Sequence, residues 1–235
     1  MQTFYLSKKN SRYFIIYLLA VTVLIVTAKL ALPQTTAVSA EPYYQGDITE
    51  NKVSLAINVD WGEEYIPDML AVLDEYHVKA TFFLTGRWAD KNPDIAAAIV
   101  AAGHEIGNHA YSHSSPNNNT YEQNIEEITK TEDAIAKATG VTTRLYAPPS
   151  GEKEEHVLRA AKDCGYKVIL WSIDTIDWQK PDANTIVNRV VGKLHGGAII
   201  LAHPTESTLA ALPDIIEKAQ EQGYVFTTVS KNIGL

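Results

Sequence analysis

Ala198-Ile199-Ile200-Leu201-Ala202-His203 is a strand-length run, apolar at every position until it ends on an imidazole. Successive side chains of a strand point to opposite faces, so a run with no polar position has both faces covered. That is the environment of a parallel sheet with helices on one side and a core on the other. Val168-Ile169-Leu170 has the same character. Working outward, Val53 to Val59 is a short apolar run, followed by Ile66, Met69, Leu70 and Leu73 at helical spacing. Ala80 to Leu84 is a second strand pattern, Pro93 opens an alanine-rich helix ending near Gly103, and His104 to Asn108 is a third strand. Thr120, with Gln123 three residues on, caps a long helix that runs to Gly140. Strands at Leu145 to Ala147, Tyr166 to Ile173, Ala198 to Ala202 and Tyr224 to Val229 then alternate with helices at Glu152 to Cys164, Ala183 to Leu194 and Thr208 to Gln222. Seven strand patterns among about six helical ones predict an α/β fold, a parallel sheet rolled into a (β/α) barrel.

That register gathers the chemistry. Asp60 follows the first strand, His109 the third, Pro148 the fourth, Asp174 the fifth and His203 the sixth. In a parallel barrel these carboxyl ends open onto one face, where catalytic groups collect. The third strand leads into Gly107-Asn108-His109-Ala110-Tyr111-Ser112-His113. Neutral imidazole is the commonest protein ligand for zinc and related ions, and two at this spacing can hold one ion and leave positions open. A chain with seven histidines also produces such pairs by chance. A zincin protease is excluded, because its signature has Glu directly after the first His, where Ala110 stands here.

The 235 residues, 46% hydrophobic, suffice for a real core. Tyr13 to Ala28 carries no charge, is preceded by Lys8, Lys9 and Arg12, and extends through Leu32 to about the ~20 residues of a membrane span. Ala37-Val38-Ser39-Ala40 offers a signal-peptidase site before Glu41. Residues 1–40 therefore read as a signal anchor or signal peptide, 41–51 as a linker with Pro42 and Gly46, and 52–235 as one exported domain. Anchored at the outer face of the cytoplasmic membrane or secreted, the body meets the envelope. Four of the 20 basic side chains and none of the 28 acidic ones lie in the first forty residues, so the body holds 16 against 28, near −12. Nucleic acid is not its partner. Cys164 is the single cysteine, which excludes an internal disulfide, and it reads as a packed thiol.

Five ordered motifs make the body resemble the polysaccharide deacetylase family, also called the NodB-homology domain or carbohydrate esterase family 4. The family's Thr-Phe-Asp-Asp-Gly falls on Asn58-Val59-Asp60-Trp61-Gly62, its His-(Ser/Thr)-x-x-His on His109 to His113, and its Arg-Pro-Pro-Tyr-Gly on Ala147-Pro148-Pro149-Ser150-Gly151. Asp-x-x-Asp-Trp is intact as Asp174-Thr175-Ile176-Asp177-Trp178, and Leu-x-His as Leu201-Ala202-His203. The first and third motifs depart at Trp61, Ala147 and Ser150, as in a sporulation-associated branch of spore-forming bacteria. The resemblance implies a distorted (β/α) barrel that removes acetyl groups from an N-acetylated polysaccharide with a divalent metal, zinc first among candidates. It implies His109 and His113 as metal ligands, Asp60 as base, His203 as acid, and Asp174 as the carboxylate orienting His203. Trp178, Pro148 and Ser150 fall along the substrate groove. Trp61 stands where a metal-binding aspartate is usual, and Glu63 is the nearest acid to replace it. Ala147 removes the arginine that orients the base, and Arg144, at an odd offset on a strand, points the other way. Two other readings stand beside the hydrolase: a silent domain that binds glycan or an envelope protein, and a glycosidase using Asp174 and Asp177.

Overall fold

The computed structural model describes residues 41–235, with Tyr17, Val21 and Thr22 of the leader placed in helix. The rest of the leader, and the span and cleavage site read there, lie outside the described residues. Among the described residues no helix is long and apolar enough to cross a membrane.

The elements in chain order are β1 (Lys52–Val59), α1 (Ile66–Glu75), β2 (Thr81–Leu84), α2 (Gly86–Lys91), α3 (Pro93–Ala101), β3 (Glu105–Asn108), α4 (Tyr121–Thr139) and β4 (Leu145–Tyr146). Then follow α5 (Glu155–Asp163), β5 (Lys167–Val168), β6 (Ile173–Asp174), α6 (Ala183–Val191), β7 (Ile199–Ala202), α7 (Glu206–Glu221), β8 (Val225–Phe226) and α8 (Val229–Asn232). The strands pair in the order β5-β4-β3-β2-β1-β7-β6, with β8 on the start of β1. Every pairing is parallel.

One expectation changes here. The single strand read over Tyr166 to Ile173 is two short strands at opposite edges of the sheet. Its first half pairs with β4 and its second with β7, so one stretch of chain closes the curl. Between them Tyr43 inserts, its amide donating to the Val168 carbonyl at 2.8 Å and its carbonyl accepting from the Leu170 amide at 2.7 Å. The segment read as a linker is thus stitched into the domain. The physical reason is that the curl leaves backbone groups of residues 168–170 without a neighbouring strand, and buried backbone groups need partners.

The two-faced apolar runs are explained by burial. Leu55, Ile57 and Val59 of β1, Phe82 and Leu84 of β2, and Ile200 and Ala202 of β7 face the helices, packing with Ile66, Met69, Leu73, Ile215 and Ile216. Ala56, Phe83, Leu145, Ala147, Ile169 and Ile199 fill the concave side. Full burial of a side chain of this size contributes roughly 1.5–3 kcal/mol. The concave side is tight: a Cβ on Gly107 would lie 2.2 Å from the Phe83 ring, so only glycine fits in β3 there. Asn58 and Leu201, at the upper ends of β1 and β7, carry the same interior up to the floor of a cleft.

Candidate active site

The cleft, of about 410 Å³, lies at the carboxyl ends of the strands and is lined by Asn58, Asp60, Trp61, His109, His113, Ser150, Trp171, Asp174, Trp178, Leu201 and His203. Residues far apart in sequence therefore meet, as the strand-end register predicts. Pro148 does not. It is buried, in extended backbone that continues β4, and only the turn after it brings Ser150 to the cleft.

The two imidazoles are brought together by a loop held from α4. Glu127 accepts from the amides of Tyr111 and Ser112 at 2.9 and 2.7 Å and from the Ser112 hydroxyl at 2.9 Å. Ala110 and His113 take left-handed backbone, φ 61° and 56°, a conformation costing roughly 1–2 kcal/mol per residue. The loop so folded sets the His109 and His113 rings edge to face with centroids 5.0 Å apart. His109 Nδ1 lies 2.6 Å from the Ala147 carbonyl, which can only accept, so Nδ1 carries the proton and Nε2 keeps its lone pair. Burial, with the neighbouring His113, pushes the His109 pKa down to about 3. It stays neutral, as a ligand must be.

Asp60 is held by a residue the motifs do not contain. Arg87 donates through Nε to Oδ1 at 2.7 Å and through Nη2 to Oδ2, and the Thr85 hydroxyl donates to Oδ1 at 2.9 Å. Both donors come from the β2–α2 junction, which the backbone ties to the imidazole loop: Gly86 N donates to Ala110 O and Arg87 N to Tyr111 O. Arg87 therefore gives Asp60 the guanidinium that Ala147 does not. Arg144 pairs with Glu132 instead, in keeping with its reading on the opposite face.

His203 is oriented by Asp177, and the assignment of that role to Asp174 is corrected. Asp177, fully buried, accepts from His203 Nδ1 at 2.7 Å, from the His203 amide at 2.6 Å and from the Thr208 hydroxyl at 2.5 Å. Burial opposes its ionisation, but these hydrogen bonds outweigh it and hold its carboxyl below the usual range. Asp174 instead lines the cleft and accepts from the Ile176 amide at 2.8 Å. Ile176 is left-handed (φ 52°), which turns the chain inward after Asp174 and carries Asp177 beneath His203. A glycosidase pairing of Asp174 with Asp177 is removed by the same geometry.

Trp61 lies flat against His203, planes 9° apart and centroids 6.0 Å. Glu63 is not on the cleft lining; it pairs with Lys91 at 3.3 Å. A third ligand from Glu63 is thereby overturned, since the carboxylate is drawn to a surface cation. Among the described residues no group of three His, Cys, Asp or Glu side chains could hold a metal ion. A catalytic zinc takes three protein ligands and an open position. His109 and His113 supply two, and both oxygens of Asp60 are engaged by Arg87, so these residues do not fit such a centre.

A family profile described as polysaccharide deacetylase matches residues 46–169. An uncharacterized protein of Bacillus subtilis is 40% identical over 191 residues, 81% of this chain and 60% of that protein's length. A peptidoglycan-N-acetylglucosamine deacetylase of Bacillus cereus is 36% identical over 76% of this chain and 68% of its own. Among solved structures, a Bacillus anthracis protein described as a CE4 family pseudoenzyme superposes with a TM-score of 0.81 at 41% identity, covering 83% of this chain and 70% of that one. A mutant of the same protein, described as having restored enzymatic activity, gives 0.81 at 39% identity, with 83% and 72% covered. Deacetylases and a pseudoenzyme thus share one fold with this protein. On the profile match and these identities, the chain belongs to the polysaccharide deacetylase family, carbohydrate esterase family 4.

Proposed function

We propose that the cleft takes up an N-acetylated sugar of an envelope glycan, peptidoglycan or a chitin-like chain, and that the protein holds it without hydrolysing it. The observation that carries this reading is Trp61. An indole with no lone pair to give a metal stands where the resemblance places a carboxylate ligand, and among the described residues no other acid completes a metal-binding group. The glycan class is supported by the B. cereus relative, a peptidoglycan-N-acetylglucosamine deacetylase, and the silence by the pseudoenzyme relative. The leader, as anchor or cleaved signal, would put the cleft beside that glycan, at the outer face of the membrane or free in the envelope. The resemblance to sporulation-associated members would set the work in spore formation.

A second reading, N-deacetylation, is favoured by one observation: both proton-handling side chains keep their partners, Asp60 with Arg87 and His203 with Asp177. In it Asp60 would take the proton of the attacking water, and His203, its imidazolium stabilised by Asp177, would protonate the departing amine. The divalent metal of the family, zinc for instance, would have His109 and His113 alone to hold it, and no step is assigned to it. The test is glycan binding and acetate release by the full chain, on chitin oligomers and peptidoglycan, with zinc, cobalt or nickel and with chelator. Binding without acetate is expected. Acetate release that a chelator stops selects the second reading, and no binding to either glycan sinks both.

A further inference from the structure

Buried polar side chains of folded proteins are almost all paired, and an unpaired one is costly unless a ligand brings the partner. Among the described residues six buried side chains leave a polar atom without a hydrogen-bond partner, and Asn58, through Oδ1, is the one of them that lines the cleft. Side chains alternate along β1, so Ala56, Asn58 and Asp60 share the concave side, and Asn58 stands below Asp60 by roughly 6–7 Å of strand. Phe83 is its neighbour on β2, and Leu201 lines the floor from β7. The Asn58 side chain is 5% exposed, and the cleft is the space it borders. We propose that Asn58 recognises the acetamido group of the bound sugar, its Oδ1 accepting the acetamide N–H. The inference rests on the reading of the cleft as a site for an N-acetylated sugar.

The donor that this oxygen lacks is one the ligand carries. Asp60 and Asp174, the carboxylates of the lining, already accept from Arg87, Thr85 and the Ile176 amide. Asn58 is the neutral acceptor left over, and rotation about its last bond turns the oxygen to the cleft without moving the backbone. An acetate ester has no proton to give at that point, so the contact separates N-acetyl from O-acetyl sugars; a site built to bond a group rejects the analogue without it. The resemblance places threonine at this position, and the asparagine amide reaches one atom farther. The first motif thus changes twice in a matching direction. Trp61 withholds a ligand from a metal, and Asn58 gives the acetamide a partner that needs none.

The test uses the full chain and the trimer of N-acetylglucosamine, carrying heavy nitrogen in its acetamido groups. Asn58→Leu, close to asparagine in shape but without polar atoms, and Asn58→Thr should each bind the trimer about 10-fold more weakly than the native protein in calorimetric titration, the scale of one buried hydrogen bond. In magnetic resonance spectra of the labelled trimer, one acetamide proton should move downfield on the native protein and stay near its free position on the variants. The melting midpoint of Asn58→Leu should hold or rise, because the unpaired atom leaves with the substitution. Native affinity in both variants, or an acetamide proton that moves alike on all three proteins, overturns the assignment and leaves the glycan reading standing. So do midpoints lowered in both variants, which would place the partner of the amide inside the protein. No binding of the trimer by the native protein overturns the two together.

Discussion

The His203 side of the cleft and the Asp60 side hold their working groups by different means. His203 sits on a fully buried carboxylate that accepts three hydrogen bonds, and all of its supports come from two intact motifs and the cap of α7. Asp60 is clamped by Arg87, whose side chain is 51% exposed and which belongs to no motif. The difference shows what drift can reach. A buried charge has no substitute at hand, because removing one partner strands the others without water. A guanidinium at a rim can be supplied from a neighbouring strand end, because several positions there are within reach and solvent covers the transition.

Three substitutions sharpen the comparison, beginning with the largest effect. Asp177→Ala leaves the His203 amide, His203 Nδ1 and the Thr208 hydroxyl without their acceptor, and each buried donor left unsatisfied costs roughly 1–3 kcal/mol. Denaturant unfolding at neutral pH measures it. The sign with pH follows from the depressed carboxyl: its contribution is present above the ordinary value of 3.8 and is lost as pH falls through the folded value. The variant should therefore have a flatter acid limb than the native protein. An unchanged midpoint at neutral pH would mean that the buried carboxylate holds nothing.

Trp61→Asp acts on the other side. It restores a carboxylate beside His109 and His113, and since partners one layer out from a metal are worth ~10- to 100-fold in affinity, a direct ligand should raise zinc affinity by more than about 100-fold. Titration of zinc into the two proteins reads it directly, and chelator-sensitive acetate release in the variant alone is the expected companion. The restored activity of the mutant pseudoenzyme relative shows that a silent site on this fold can be recovered. Zinc affinity equal in both proteins would place the fault elsewhere in the site.

How far the sequence reveals these arrangements depends on how local their causes are. The strands of the sheet show as apolar runs because burial on both faces is written residue by residue, and the rim positions of Asp60, His109 and His203 follow by counting to strand ends. The role of Asp177 is hidden by Ile176, a β-branched residue in left-handed backbone that no propensity anticipates. The splitting of residues 166–173 between two edges is hidden because a pairing partner lies far away in the chain; so is the insertion of Tyr43. Arg87 had a signal that motif reading passes over. It stands three residues beyond the end of β2, on the same rim as the acids, and is the sole cation in Leu84-Thr85-Gly86-Arg87-Trp88.

The smallest effect on stability belongs to Arg87→Ala. An ion pair with one partner this exposed is worth about 0–1 kcal/mol, so unfolding should shift within that range even though its geometry matches the buried pair for directness. Its consequence is positional. With the guanidinium gone, Thr85 alone holds Asp60, through one oxygen, and the carboxylate is free to swing toward the cleft or away from it. In the Trp61→Asp background, where acetate release gives a readout, the loss should lower kcat about 10- to 100-fold, as outer partners of a working site do. Arg87→Lys should recover little of it, since an ammonium cannot donate to both oxygens in one plane.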